Sequence, residues 1–114
     1  MHGRRSERVA EQLRLELAEL IENEVADPRV GAVTVTRVEV SGDGKQARVF
    51  VAPLDAEVDE KQLVRGLDHA RPYLRRELAA RLQLRYTPDL GFSIDRGPQH
   101  AERVETLLEG IKKP

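Results

Sequence analysis

Between Lys61 and Arg85 the chain carries seven cationic side chains (Lys61, Arg65, Arg71, Arg75, Arg76, Arg81 and Arg85) against only Asp68 and Glu77. Arginine outnumbers lysine 15 to 4, and a guanidinium offers two parallel N–H donors that match the oxygens of a phosphate. A second basic group, Arg4, Arg5 and Arg8, lies near the N-terminus. The chemistry on offer is therefore phosphate binding without bond making. Each arginine also has a plainer role, as an exposed side chain paired with a carboxylate of its own chain, and spacing alone leaves both open. Arg81 falls beside an apolar stripe, where it can snorkel or pair instead.

Groups that could make or break bonds do not assemble along the sequence. His2, His69 and His100 stand far apart, and none has a Glu or His at ligand spacing. There is no cysteine, hence no thiolate zinc site and no disulfide framework, which fits a reducing cytoplasm. Ser41 and Ser93 lack partners for nucleophilic catalysis. Gly42-Asp43-Gly44 sits between two strand-like runs and opens no helix, so it is no phosphate loop. Carboxylate pairs such as Glu22 with Glu24 belong to a solvated helix face. Phe50, Tyr73, Tyr86 and Phe92 are too few aromatics for the stacking surfaces of typical single-strand binders. A non-enzyme without metal or cofactor is expected.

Charge is segregated rather than abundant. The formal net charge is −1, yet Glu16–Val30 holds five acidic residues and one basic, and Asp55, Glu57, Asp59 and Glu60 form another acidic patch. Such a distribution favours an oriented encounter with an anionic partner over general adhesion. No apolar run approaches a membrane span or a signal-peptide core.

The elements that must position the arginines follow from periodicity. A first helix is expected from a Ser6 N-cap to Asp27-Pro28, burying Val9, Leu13, Leu17, Leu20, Ile21 and Val25. Val33, Val35, Val38 and Val40 mark a strand over 32–40, and their change of phase calls for a bulge or a strong twist near Thr36-Arg37. Ser41–Gly44 is a hairpin turn into a strand over 46–52, closed by Pro53. Asp59 can cap a helix whose stripe Leu63, Leu67, Ala70, Leu74, Leu78, Leu82 keeps its phase across Pro72. Proline lacks the amide that would bond the Asp68 carbonyl, so two helices joined by a bend at Ala70-Arg71-Pro72 are expected. Leu90, Phe92 and Ile94 alternate as a third strand, and Val104, Leu107, Leu108 and Ile111 mark a last helix after Gly97-Pro98. The expected fold is α+β, ordered α-β-β-α-kink-α-β-α, with a mixed three-stranded sheet and helices on one face. It forms one domain over 1–114 with a core of about 6–111, disordered only at the first residues, the 53–58 loop and 112–114.

A basic bend between two helices in this order resembles a type II KH domain, in which a GxxG loop clamps a nucleic-acid backbone. Along nearly its whole length the chain resembles bacterial ribosome-binding factor A. The resemblance rests on Arg8-Val9-Ala10-Glu11-Gln12, Asp27-Pro28-Arg29, Val33-Thr34-Val35-Thr36 with Val38-Glu39-Val40-Ser41, Ala47-Arg48-Val49-Phe50-Val51, Leu74-Arg75-Arg76-Glu77-Leu78 and the run Leu84 to Phe92. Members of that family carry Ala-x-Gly at the helix kink, where this chain has Ala70-Arg71-Pro72, and Gly97 and Ala101 stand where the family often has serine and glycine. The resemblance implies a cold-shock-associated factor that binds the immature small (30S) ribosomal subunit and contacts 16S rRNA. It would assist late rRNA processing in the cytoplasm as a monomer, with ribosomal proteins and an assembly GTPase as further partners and no membrane.

On this reading Arg4, Arg5, Arg8, Arg65, Arg71, Arg75, Arg76, Arg81 and Arg85 are the candidate RNA contacts, of which roughly half should act while the rest pair within the chain. The alternative is a KH-like interaction module whose open sheet face or acidic first helix (Glu16, Glu19, Glu22, Glu24, Asp27) docks a basic protein.

Overall fold

The structure, a computed structural model, describes the chain from residue 4 to residue 97 and its side chains from residue 7. The elements run α1 (Arg4–Asn23), β1 (Val33–Val40), β2 (Gln46–Pro53), α2 (Glu60–Arg81) and β3 (Asp89–Ile94). The helix expected after Gly97-Pro98 and the expected loose ends at 1–3 and 112–114 lie outside the described residues.

Alternation of valine builds the sheet. β1 and β2 pair antiparallel, Val35 opposite Val51 and then Arg37 opposite Phe50, so Thr36 is the extra residue of a bulge. That one-residue shift returns Val38 and Val40 to the face already occupied by Val33 and Val35, and all four are buried. β3 joins β2 in parallel, giving the order β1-β2-β3. The Ser41 side chain donates to Asp43 Oδ1 (2.7 Å), which also accepts from the Lys45 N–H (3.0 Å), and this locks the hairpin turn. Gly44 takes φ 77°, a conformation that only glycine adopts freely.

Both helices cover one face of this sheet. Leu13, Leu17, Leu20 and Ile21 of α1 and Leu63, Leu67, Leu74 and Leu78 of α2 join the buried strand residues in one cluster. The other face carries Arg37, whose guanidinium carbon lies 4.2 Å from the centre of the Phe50 ring, and Arg48, which donates to Ser93 Oγ at 3.0 Å.

Several sequence expectations require correction. α1 begins at Arg4, so Ser6 lies within the helix rather than capping it; Arg4 and Arg5 are good helix formers, and no breaker separates them from Ser6. The same helix stops at Asn23, four residues before Asp27, where the N–H groups of Glu24 and Val25 both donate to the Leu20 carbonyl. Asp27 instead builds a turn, its carboxylate accepting from the Arg29 N–H (2.9 Å) and the Arg29 guanidinium (3.0 and 2.6 Å). The turn seats Val30 against Gly66 of α2, where an added Cβ would lie 2.9 Å from Val30 Cγ2. The 53–58 connection is tied rather than loose: Leu54 N–H donates to the Ala32 carbonyl, and Asp55 accepts from Glu57 and Val58.

The largest correction concerns Pro72. α2 is one helix of 22 residues running through it, not two helices joined by a bend. Asp68 and Pro72 are both exposed, on the side of the helix where water can satisfy a carbonyl that no proline amide reaches. Leu67 and Leu74 meanwhile anchor both flanking turns in the core. Asp59 caps the start as expected, accepting from the N–H groups of Lys61 (3.0 Å) and Gln62 (3.2 Å).

Candidate nucleic-acid interface

Helical phase divides the candidate arginines. Leu63, Leu67, Leu74 and Leu78 define the inner face of α2, and the spacing 65, 69, 72, 76 puts Arg65, His69, Pro72 and Arg76 on the opposite side, all exposed. Among the described residues neither Arg65 nor Arg76 forms an ion pair.

The other arginines of α2 are occupied. Arg71, half-buried on the flank, pairs with Asp68 at 2.5 Å. Arg75 donates through Nε to the Pro88 carbonyl (3.1 Å) and through Nη2 to the Thr87 carbonyl (3.0 Å), with Asp89 at 3.5 Å. It thus fastens the segment that leads into β3. Arg81 follows Leu74 and Leu78 in phase at the helix end and meets Glu24 (3.0 Å), Glu19 (3.4 Å) and Glu77 (3.6 Å). Its partial burial works against the charge, but Glu24 and Glu19 outweigh that and raise its pKa above the ordinary value. Arg75 and Arg81 thus tie α2 to other segments while Arg71 is spent on a pair within its own helix, so the nine expected contacts do not form one surface. Arg4 and Arg5 lie in the first turn of α1, with side chains outside the described residues.

Arg8 and Arg85 lie elsewhere, both lining a cleft of about 600 Å³ between the start of α1, the β1–β2 hairpin and the connection that follows α2. Both side chains are exposed and, among the described residues, form no ion pair. Two further lining residues were missed by sequence reasoning. Lys45 Nζ lies 5.1 Å and the Arg85 guanidinium carbon 5.3 Å from the centre of the Tyr86 ring. No local pattern joins residues 45 and 86. Only the parallel pairing of Gln46 with Asp89 brings them together.

Polar chemistry elsewhere is structural. The Ser41 hydroxyl and the Lys45 N–H hold the Asp43 carboxyl below the ordinary carboxylate range. The Arg29 guanidinium and N–H lower Asp27 to about 2. Among the described residues no polar or charged side chain is buried, and no three His, Cys, Asp or Glu are placed to hold a metal ion. No described helix is long and apolar enough to cross a membrane.

The model of the family described as ribosome-binding factor A matches residues 5–108. The chain belongs to the ribosome-binding factor A family. The crystal structure of ribosome-binding factor A from Thermus thermophilus is 32% identical with a TM-score of 0.73, covering 84% of this chain and 100% of that one. A solution structure of a Thermotoga maritima protein, a candidate ribosome binding factor A, is 29% identical with a TM-score of 0.71, covering 87% and 95%. A homology model of the T. thermophilus factor, fitted into the cryo-EM map of a 30S complex with that factor, is 35% identical with a TM-score of 0.62, covering 75% and 90%. The two helices and mixed three-stranded sheet are thus the family's fold.

Proposed function

We propose that this chain is a non-catalytic assembly factor of the ribosome-binding factor A family. It binds the immature 30S subunit in the cytoplasm and assists late maturation and processing of 16S rRNA, including in the cold. In this reading the chain acts as one KH-like domain and as a monomer, with no metal or cofactor. Cations bind rRNA phosphates, and the shape of the assembled subunit supplies selectivity. The observation that carries the reading is that Arg8, Arg65, Arg76 and Arg85 are exposed and, among the described residues, have no carboxylate partner. The T. thermophilus relative fitted into a 30S complex supports the choice of partner.

The acidic residues of α1 and of the turn after it do not favour a protein-docking module in its place. Glu19 and Glu24 hold Arg81, and Glu22 accepts from the Val35 N–H at 3.1 Å, so much of that charge serves the fold. Release from 30S by a GTPase remains compatible with an RNA-facing role. The test is co-sedimentation with immature and mature 30S subunits across a salt series. Preferential binding to the immature pool that weakens steeply with salt is expected. Salt-independent binding would overturn the reading.

A further inference from the structure

The cleft at the end of α2 sets a tyrosine ring among three cations, Arg8, Lys45 and Arg85, the combination of stacking surface and phosphate donors that a nucleotide needs. We propose that it takes one unpaired nucleotide of single-stranded RNA, the base against Tyr86 and the adjoining phosphates against Arg8, Lys45 and Arg85. This deepens the proposed RNA-binding function and rests on it.

Three observations point the same way. Tyr86 is 41% exposed, one of three large apolar side chains left open among the described residues. Its backbone neighbours are fixed, because Arg75 grips the carbonyls of Thr87 and Pro88 and Pro88 is fully buried. Arg75, expected from sequence to touch RNA, is here a positioning residue for the tyrosine. Lys45 is held equally well: its N–H donates to Asp43 Oδ1, and its carbonyl accepts from the Asp89 N–H at 2.9 Å. Hydrogen-bonded backbone therefore places the Cα atoms that carry ring and ammonium on two sides of the cleft, with Arg8 from α1 closing a third. Such preorganisation lowers the ordering cost of binding.

Charge favours an anionic ligand. Three cations line the cleft against the single carboxylate of Asp43, which is engaged by Ser41 and the Lys45 N–H. A cleft of about 600 Å³ accepts a base and its phosphates but no duplex. Every base has a π-face, so stacking here is indifferent to sequence. The cleft lies beyond the end of α2, roughly 15 Å along the helix from Pro72, and is separate from the position where a KH loop would bind.

The test titrates a fluorescein-labelled octauridylate, followed by anisotropy, and maps crosslinks from a 4-thiouridine version of it. Tyr86→Leu is expected to weaken binding about fivefold or more with an unchanged salt dependence, while Tyr86→Phe binds as wild type. Lys45→Ala should instead flatten the slope of log affinity against log salt by about 0.7. Crosslinks should fall on residues 83–86. Octauridylate binding indifferent to Tyr86→Leu, or crosslinks confined to the outer face of α2, would overturn the cleft while 30S binding persisted. An oligoglutamate peptide that lost affinity equally in Tyr86→Leu would mark a protein site and also overturn it. Loss of 30S binding by the wild-type protein would refute the function itself. Unchanged circular dichroism and melting temperature in both tyrosine variants separate these outcomes from misfolding.

Discussion

Arg65 and Arg76 share a helix with Arg75 and Arg81, yet the two pairs do opposite things. The first pair projects from the side opposite Leu67 and Leu74 and, among the described residues, has no carboxylate partner. Of the second pair, Arg75 sits on the flank and holds two carbonyls, while Arg81 falls in phase with the core and gathers three glutamates. A run of arginines on one helix is therefore not one surface. Residue number modulo the helical turn decides whether a guanidinium meets the solvent or the fold.

The largest effect should come from reversing the free pair. Arg65→Glu with Arg76→Glu is expected to lower 30S affinity more than about tenfold and to shift the melting temperature by no more than about 2 °C, since exposed substitutions change stability little. Co-sedimentation and thermal melts read the two quantities. Retained binding would mean that the outer face of α2 is not an RNA surface and would break the comparison from that side.

The pinned pair should behave in reverse. Arg75→Ala removes two charge-assisted hydrogen bonds to backbone carbonyls, a loss of about 1–2 kcal/mol for a half-exposed donor, or about 5–15 °C in melting temperature. Octauridylate binding should fall alongside, because Tyr86 loses its anchor. Arg75→Lys should not restore the melting temperature, since an ammonium cannot match the fork that spans consecutive carbonyls. A variant that melts like wild type would return Arg75 to the pool of free cations.

What the sequence revealed and what it hid divide along the range of the interactions. The valine phase change announced the Thr36 bulge, and Asp59 announced its own cap, because both depend on residues within one turn or one strand. The fate of Arg81 depends on Glu19 and Glu24, more than fifty positions away, and that of Arg75 on Thr87 and Pro88 across a connection. The continuity of α2 was hidden for a related reason. Proline weighs against a helix locally, whereas Leu67 and Leu74, seated in a core supplied by α1 and the sheet, hold both sides of it in register. No local pattern marks Gly66 either, because the side chain that packs where its Cβ would be, Val30, comes from another part of the chain.

The smallest effect concerns a third pinned guanidinium, Arg29, at the turn that rests on Gly66. Asp27 has its pKa lowered to about 2 from an ordinary 3.8, chiefly by the hydrogen bond from the Arg29 side chain. A carboxyl lowered in the folded state adds stability that is complete above its unfolded pKa and is lost as pH falls through the folded one. The contribution of this pair should therefore be full above about pH 4 and fade towards pH 2. Asp27→Asn should be less stable than wild type at pH 5, and the gap should narrow steadily at pH 3.5 and 2.5. Urea titrations at those three values measure it, and comparing the two proteins at each pH cancels the titration of every other carboxylate. A gap that stayed constant would show that Asp27 acts through the shape of its turn and not through its charge. Arg29 would then be held there by packing alone, unlike Arg75 and Arg81.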